Sequence, residues 1–292
     1  VVISVVIVTF NNHAEIGACL DALSRAMAAY TTHLCLIDNA STDGTGEAIA
    51  ASRSRYASCF DQFLFIPNRQ NRGFTAAVNQ GVERSQGDYL LVLNPDVVIP
   101  EGVMPVLLGC FAGQESIGVV APQLRFPDGR IQPSCRRFPR RRDLLFEVSG
   151  LVLPARRLGY QDWKMRDFDH RHSRFVHQPQ GAFLLARREV VESVGLFDER
   201  FYMFFSDVDW CERVHAAGWR IWFCSEVFVY HQKGASVYRD RTRMLVTSSR
   251  SFADYFTKHD RTCFDRIGTI LVKLILLMTL ALRLAAERAR RS

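Results

Sequence analysis

The chain has 292 residues, 48% hydrophobic and 23% charged, ordinary for a globular protein and long enough for one large domain or two small ones. Its eight cysteines form no CxxC pair and several sit inside apolar runs, which excludes a zinc knuckle and a disulfide scaffold and fits a reducing, cytosolic setting. The net charge of +7 gathers in two clusters: Arg136, Arg137, Arg140, Arg141 and Arg142, then Arg283, Arg288, Arg290 and Arg291. With no nucleic-acid motif beside them, an anionic membrane surface is the expected partner, and nucleic acid is not.

VVISVVIVTF at the start is apolar, but it has no basic region before it and no small-residue cleavage site. It reads as a buried parallel strand ending where Asn11-Asn12 begin a turn. Ile16, Leu20, Leu23 and Met27 then fall at helical spacing. His33 to Ile37 is a second strand ending at Asp38-Asn39, and Ser41 to Gly44 leads into a helix near Thr45 to Ala51. Phe63 to Ile66 is a third strand, the loop Pro67 to Gly73 follows, and a helix carries Ala77, Val78 and Val82. A fourth strand, Tyr89 to Leu93, runs into Asn94-Pro95-Asp96, where proline has no N–H for the sheet. This alternation predicts right-handed βαβ units and an α/β fold with a mostly parallel sheet.

Polar residues gather where the strands end: Thr9 and Asn11, Asp38, Asn68 and Arg69, Asn94 and Asp96. In a doubly wound sheet those ends share one rim, where ligands bind. No GxGxxG fingerprint follows the first strand, and no P-loop or GxSxG elbow is present.

Residues 122 to 180 hold six of the ten prolines and read as long surface connections with one or two strands. Order returns with a strand over Ala182 to Ala186 and a helical turn over Glu189 to Val194. A helix is expected from Ser206, as N-cap, to about Ala217, stopped by Gly218. Asp207 and Asp209 fall in its first turn, where acids favour the helix dipole; alternatively Asp207 faces the cleft as a general base. His231, after a strand over Val227 to Tyr230, reads as a satisfied loop histidine or as a metal ligand.

Four blocks resemble family 2 glycosyltransferases of the GT-A fold, most closely the rhamnosyltransferase-like branch. They are VVIVTFNN with IDNASTDGT; NRGFTAAVNQGV with YLLVLNPDV; GAFLLARR with GLFDERFYMFFSDVDWCERVHAAGWRI; and FVYHQKGAS. The resemblance implies inverting transfer of a sugar from a nucleoside diphosphate donor to an acceptor hydroxyl, with Mg²⁺ or Mn²⁺ neutralising the leaving diphosphate. It implies Asp96, the last acid of a DXD motif, and His231 as metal ligands. Asp207 is implied as the base, with Asp209 as the fallback. Asp38 would bind the nucleobase, Thr9 and Asn11 would line the same pocket, and Arg72, Gly73 and Asn94 would approach the nucleotide sugar. Two positions depart from the family pattern: Asn94 replaces the first acid of DXD, and Ser206 replaces the acid before the base. Asn-Pro-Asp is the form associated with the rhamnosyltransferase-like branch, so dTDP-L-rhamnose is the favoured donor. The acceptor is then a glycan or a polyprenyl-diphosphate-linked sugar of bacterial surface polysaccharide or cell wall. Two other readings are a sugar nucleotidyltransferase and a non-catalytic nucleotide-sugar-binding scaffold at the membrane.

A catalytic domain is expected over residues 1 to 260 and a helical extension over 261 to 292. Ile267 to Leu282 is strongly apolar, but its 16 residues fall short of the ~20 that span a bilayer. Thr269, Lys273, Arg283 and Glu287 lie on one helical stripe, which predicts a helix lying in the interface on the cytoplasmic side of the membrane. The alternative is a helix packed on the domain or on a second subunit of a homodimer.

Overall fold

A computed structural model describes residues 1–149, 151–232 and 241–289, with the backbone alone for 241 and 286–289. The first half alternates as its apolar periodicity requires: β1 (Val2–Thr9), α1 (Ile16–Ala26), β2 (Thr31–Asp38), α2 (Thr45–Tyr56), β3 (Gln62–Pro67), α3 (Phe74–Val82) and β4 (Tyr89–Leu93). The remaining elements are β5 (Val97–Val98), α4 (Val103–Gly109), β6 (Ile117–Arg125), β7 (Ile131–Gln132), β8 (Cys135–Arg136), α5 (Arg141–Ser149), α6 (Val152–Arg157), β9 (Arg174–Val176), β10 (Gln178–Pro179), β11 (Phe183–Arg187), α7 (Arg188–Val194), α8 (Ser206–Ala216), β12 (Arg220–His231), α9 (Arg241–Lys258) and α10 (Cys263–Ala289).

One mixed sheet runs β3-β2-β1-β4-β11-β6-β12-β5, with its longest pairings parallel and β11 antiparallel between β4 and β6. Both faces are covered, so β1 is apolar on both sides: Ile3, Val5 and Ile7 enter one core layer, Val6 and Val8 the other. Register sets the rim. Thr9 pairs with Asp38, Asp38 with Pro67, and Ile7 with Leu93, so four strand ends finish side by side. The α/β fold expected from the sequence is the one observed.

The middle of the chain is more ordered than expected. β6 is a central strand buried along nearly its whole length, and α5 and α6 are helices. Pro122, which argued for a connection, sits inside β6 because β12 bulges beside it: Cys224 pairs with Pro122 and Phe228 with Gln123. Phe205 (φ 71°), not Ser206, occupies the N-cap of α8, and Ser206 is the first helical residue.

The C-terminal helix also departs from expectation. α10 has 27 residues, about 40 Å at 1.5 Å per residue. Its stretch Cys263–Ala285 is long and apolar enough to cross a membrane by length and composition, so the reading of a segment too short to span does not hold. Its inward side packs Val272 and Leu276 against Phe201, Phe205, Phe252, Tyr255 and Phe256. Thr269, expected on an outward polar stripe, is buried and bonded to Asp260 and Arg141. The outward side exposes Phe264, Ile267, Ile270, Leu271, Leu274, Leu277, Met278 and Leu282. The side chains of Glu287, Arg288, Arg290 and Arg291 lie outside the described residues.

Candidate active site

The first part of the rim is a hydrogen-bonded shelf. Thr9 Oγ1 donates to Asp38 Oδ1 (2.9 Å), as does Ser41 Oγ (2.5 Å), and the Ser41 N–H reaches Asp38 Oδ2 (3.1 Å). Asn11 adopts a left-handed conformation (φ 57°), its N–H donating to Ser41 Oγ and its Oδ1 accepting from the Thr42 N–H. The αL region suits asparagine better than most residues. Next to this shelf, Asn39 organises the loop after β3. Its amide donates to Asn71 Oδ1 and Gly73 O, and its oxygen accepts from the Arg72 N–H. The Arg72 side chain is exposed and makes no ion pair among the described residues. Gly73 (φ 86°) opens α3, and a Cβ there would stand 2.6–2.7 Å from the ring and carbonyl of Tyr202. The loop before α8 thus closes against this part of the rim.

Asn94 directly follows β4, and its N–H donates to Ala182 O (2.9 Å). The adjacent Gly181 N–H donates to Asp207 Oδ2 (3.0 Å), so the Asn94–Asp96 edge and the first turn of α8 meet across the start of β11. A Cβ on Gly181 would lie 3.0 Å from that same oxygen, so the approach depends on glycine. Burial raises the Asp207 pKa above the usual carboxylate range, against the lowering effect of the Gly181 and Val208 N–H groups.

Asp209 occupies a different environment. It is fully buried, 2.6 Å from Lys258 Nζ and 3.1 Å from Arg213 Nε. Burial would raise its pKa, but the proximity of His259 and Lys258 and the cationic charges of Lys258 and Arg213 outweigh this and hold it at about 2. It ties α9 to α8, whereas Asp207 stays partly open.

Asp96 Oδ1 lies 3.4 Å from His231 Nε2 at the end of β12, both side chains almost wholly enclosed. His231 Nδ1 is 2.7 Å from Gln132 Oε1. A cleft of about 330 Å³ opens beside Asp96, lined also by Glu15, Ala18, Val98, Tyr230 and Gln232. Asn94 makes no side-chain hydrogen bond among the described residues. A carboxylate and an imidazole at this separation can reach one small divalent ion, and two ligands leave room for water and a diphosphate. Among the described residues no cluster of three or more acidic, histidine or cysteine side chains forms a closed metal cage. A second cavity, about 370 Å³, is lined by Arg140, Arg141, His177, Glu212, Tyr255 and His259 and holds none of the residues predicted for the site.

Ser41, Asn39, Gly181 and Gln132 escaped sequence reading. Ser41 falls among turn residues and Gly181 at the head of an apolar block, neither marking a partner for a carboxylate, and Gln132 belongs to the stretch that reads as surface connections.

The sheet, its covering helices and the rim describe a GT-A glycosyltransferase fold, and the chain superimposes on the mannosyltransferase PcManGT from Pyrobaculum calidifontis, in complex with GDP-Man and Mn²⁺, with a TM-score of 0.59. That match has 18% identity and covers 98% of this chain and 75% of that one. TarS 1-349 from S. aureus, in complex with UDP, aligns with a TM-score of 0.54 and 15% identity, over 85% of this chain and 65% of that one. Residues 4–192 match the family model for glycosyl transferase family 2, and the chain belongs to that family. It is 31% identical over 264 residues to the N-acetylglucosaminyl-diphospho-decaprenol L-rhamnosyltransferase of Mycobacterium tuberculosis, covering 86% of this chain and 82% of the relative. The low-salt glycan biosynthesis hexosyltransferase Agl10 of Haloferax volcanii is 23% identical over 85% of this chain and 76% of its own. The protein is therefore a glycosyltransferase, which decides against the nucleotidyltransferase reading.

Proposed function

We propose that this enzyme transfers L-rhamnose from dTDP-L-rhamnose, with inversion, to a hydroxyl of a polyprenyl-diphosphate-linked sugar in cell-wall or surface polysaccharide synthesis. The observation that carries a two-sided site is the junction at β11. One strand start bonds the Asn94–Asp96 edge through Ala182 and holds Asp207 through Gly181. The similarity to a rhamnosyltransferase acting on a diphospho-decaprenol sugar supports the donor and the acceptor class.

Asp38, Thr9 and Asn11 would receive the nucleobase side of the donor, with Arg72, Gly73 and Asn94 towards the diphosphate. Asp96 and His231 would hold Mg²⁺ or Mn²⁺, which as a Lewis acid supplies charge neutralisation for the departing diphosphate. Asp207 would accept the proton of the acceptor hydroxyl; its raised pKa makes it a stronger base than an exposed aspartate. Asp209, neutralised by Lys258 and Arg213, is not assigned that task. The exposed face of α10 would rest on the cytoplasmic membrane surface, near a lipid-linked acceptor.

The test is a thermal-shift panel of nucleotide sugars with and without Mn²⁺, followed by single-site variants. Asp207→Ala should lose transfer by at least ~100-fold while keeping donor affinity, and Asp96→Ala should lose the Mn²⁺-dependent part of donor binding. In wild type the acid limb of kcat/KM should lie above the ordinary aspartate value. Near-normal turnover in both variants would refute the assignment.

A further inference from the structure

Gln132 belongs to a two-residue strand, β7, in a proline-rich stretch of the chain, yet it is completely buried. Its Oε1 stands 2.7 Å from His231 Nδ1, across 99 positions of sequence. Its Nε2 is buried with no hydrogen-bond partner. That is an expensive way to fill space, since methionine or leucine would occupy a similar volume without a desolvated, unpaired amide. Packing alone therefore does not account for a glutamine here. Its bond to His231 does.

A carbonyl oxygen can only accept, so the His231 proton sits on Nδ1. The other ring nitrogen, Nε2, faces Asp96 Oδ1, 3.4 Å away. With Nδ1 engaged by Gln132, Nε2 and Asp96 Oδ1 stand as a pair of ligands that one divalent cation would join. Hydrogen bonding at the far nitrogen is how proteins fix the tautomer and orientation of metal-binding histidines. We infer that Gln132 is a positioning residue that locks His231 in its Nδ1–H tautomer and presents Nε2, with Asp96, to a divalent cation. The inference rests on the metal reading of Asp96 and His231 proposed above, and it adds the residue that makes the histidine a ligand and not a proton donor to Asp96.

The full chain serves for the test, with Mn²⁺ affinity measured by the loss of the free-ion EPR signal in the presence of dTDP. Nitrogen-15 NMR of His231, assigned with His231→Ala, reports the tautomer in metal-free protein. Gln132→Met should weaken Mn²⁺ binding about 10- to 100-fold, with melting temperature unchanged or raised, because the unpaired amide is gone. Gln132→Glu, which keeps the acceptor, should bind Mn²⁺ at least as tightly as wild type. Wild-type His231 should show a protonated Nδ1, and Gln132→Met should shift the ring towards Nε2–H. A Gln132→Met variant that binds Mn²⁺ like wild type, or a wild-type ring protonated at Nε2, overturns the inference while leaving the metal site standing. Wild type that binds no Mn²⁺, or His231→Ala that binds it undiminished, overturns the metal reading and this inference with it.

Discussion

Asp207 and Asp209 stand two positions apart in one helical turn, and their surroundings give them opposite character. Among the described residues Asp207 bonds to backbone N–H groups, and burial pushes its pKa up. Asp209 meets two cations and is held at about 2. Because the Asp209 pKa in the fold is below its unfolded value near 3.9, its ion pairs stabilise the protein fully above about pH 4. That stabilisation is lost as pH falls through about 2. Asp209→Ala should cost about 3 kcal/mol of stability at pH 7, since it strands Lys258 and Arg213 without their shared partner. The loss should shrink towards pH 2, as urea denaturation at several pH values would read. Sequence spacing could nominate both acids, but it could not separate them, because the cations come from a turn later in α8 and from α9.

At the scale of elements, the first four strands were readable because each is a short apolar run with a polar stop. β6 was not, because Pro122 signals a break and the compensating bulge lies about 100 residues later in β12. The junction between α3 and the loop before α8 is likewise a contact between distant segments: Thr75 Oγ1 donates to Phe201 O, and Tyr202 covers Gly73. Gly73→Ala places a Cβ against Tyr202 at a backbone angle that L residues rarely adopt. It should destabilise the protein by roughly 1–3 kcal/mol and raise the donor KM more than it lowers kcat, as denaturation and steady-state kinetics would measure. A variant with unchanged stability would mean that the loop yields freely.

At the scale of the whole molecule, charge and apolar surface turn out to be differently deployed. Arg137 pairs with Asp167, Arg141 with Asp260 and Asp265, and Arg136 donates to backbone carbonyls, so the first arginine cluster is largely consumed in holding the middle segment and α10 in place. What remains open is the apolar face of α10, far more than single scattered residues. On the membrane reading proposed above, affinity should depend mainly on that face. Each exposed leucine or isoleucine contributes on the order of 1.5–3 kcal/mol when buried. Replacing Ile270, Leu274 and Leu277 together by glutamate should therefore cut vesicle co-sedimentation by more than tenfold, leaving the inward Thr269 and Val272 contacts intact. Unchanged sedimentation would favour a protein partner, and analytical ultracentrifugation of wild type would then show a dimer.

The sequence by itself determined the family, the alternating first half and which polar residues end each strand, because those depend on local periodicity and on motif blocks read in order. Tertiary structure decided how those polar groups are employed: which aspartate is paired, which glycine lets a carboxylate approach, and that a buried glutamine turns His231 towards Asp96. Those outcomes rest on desolvation and on hydrogen-bond partners drawn from strands and helices far apart in the chain. No local pattern encodes them.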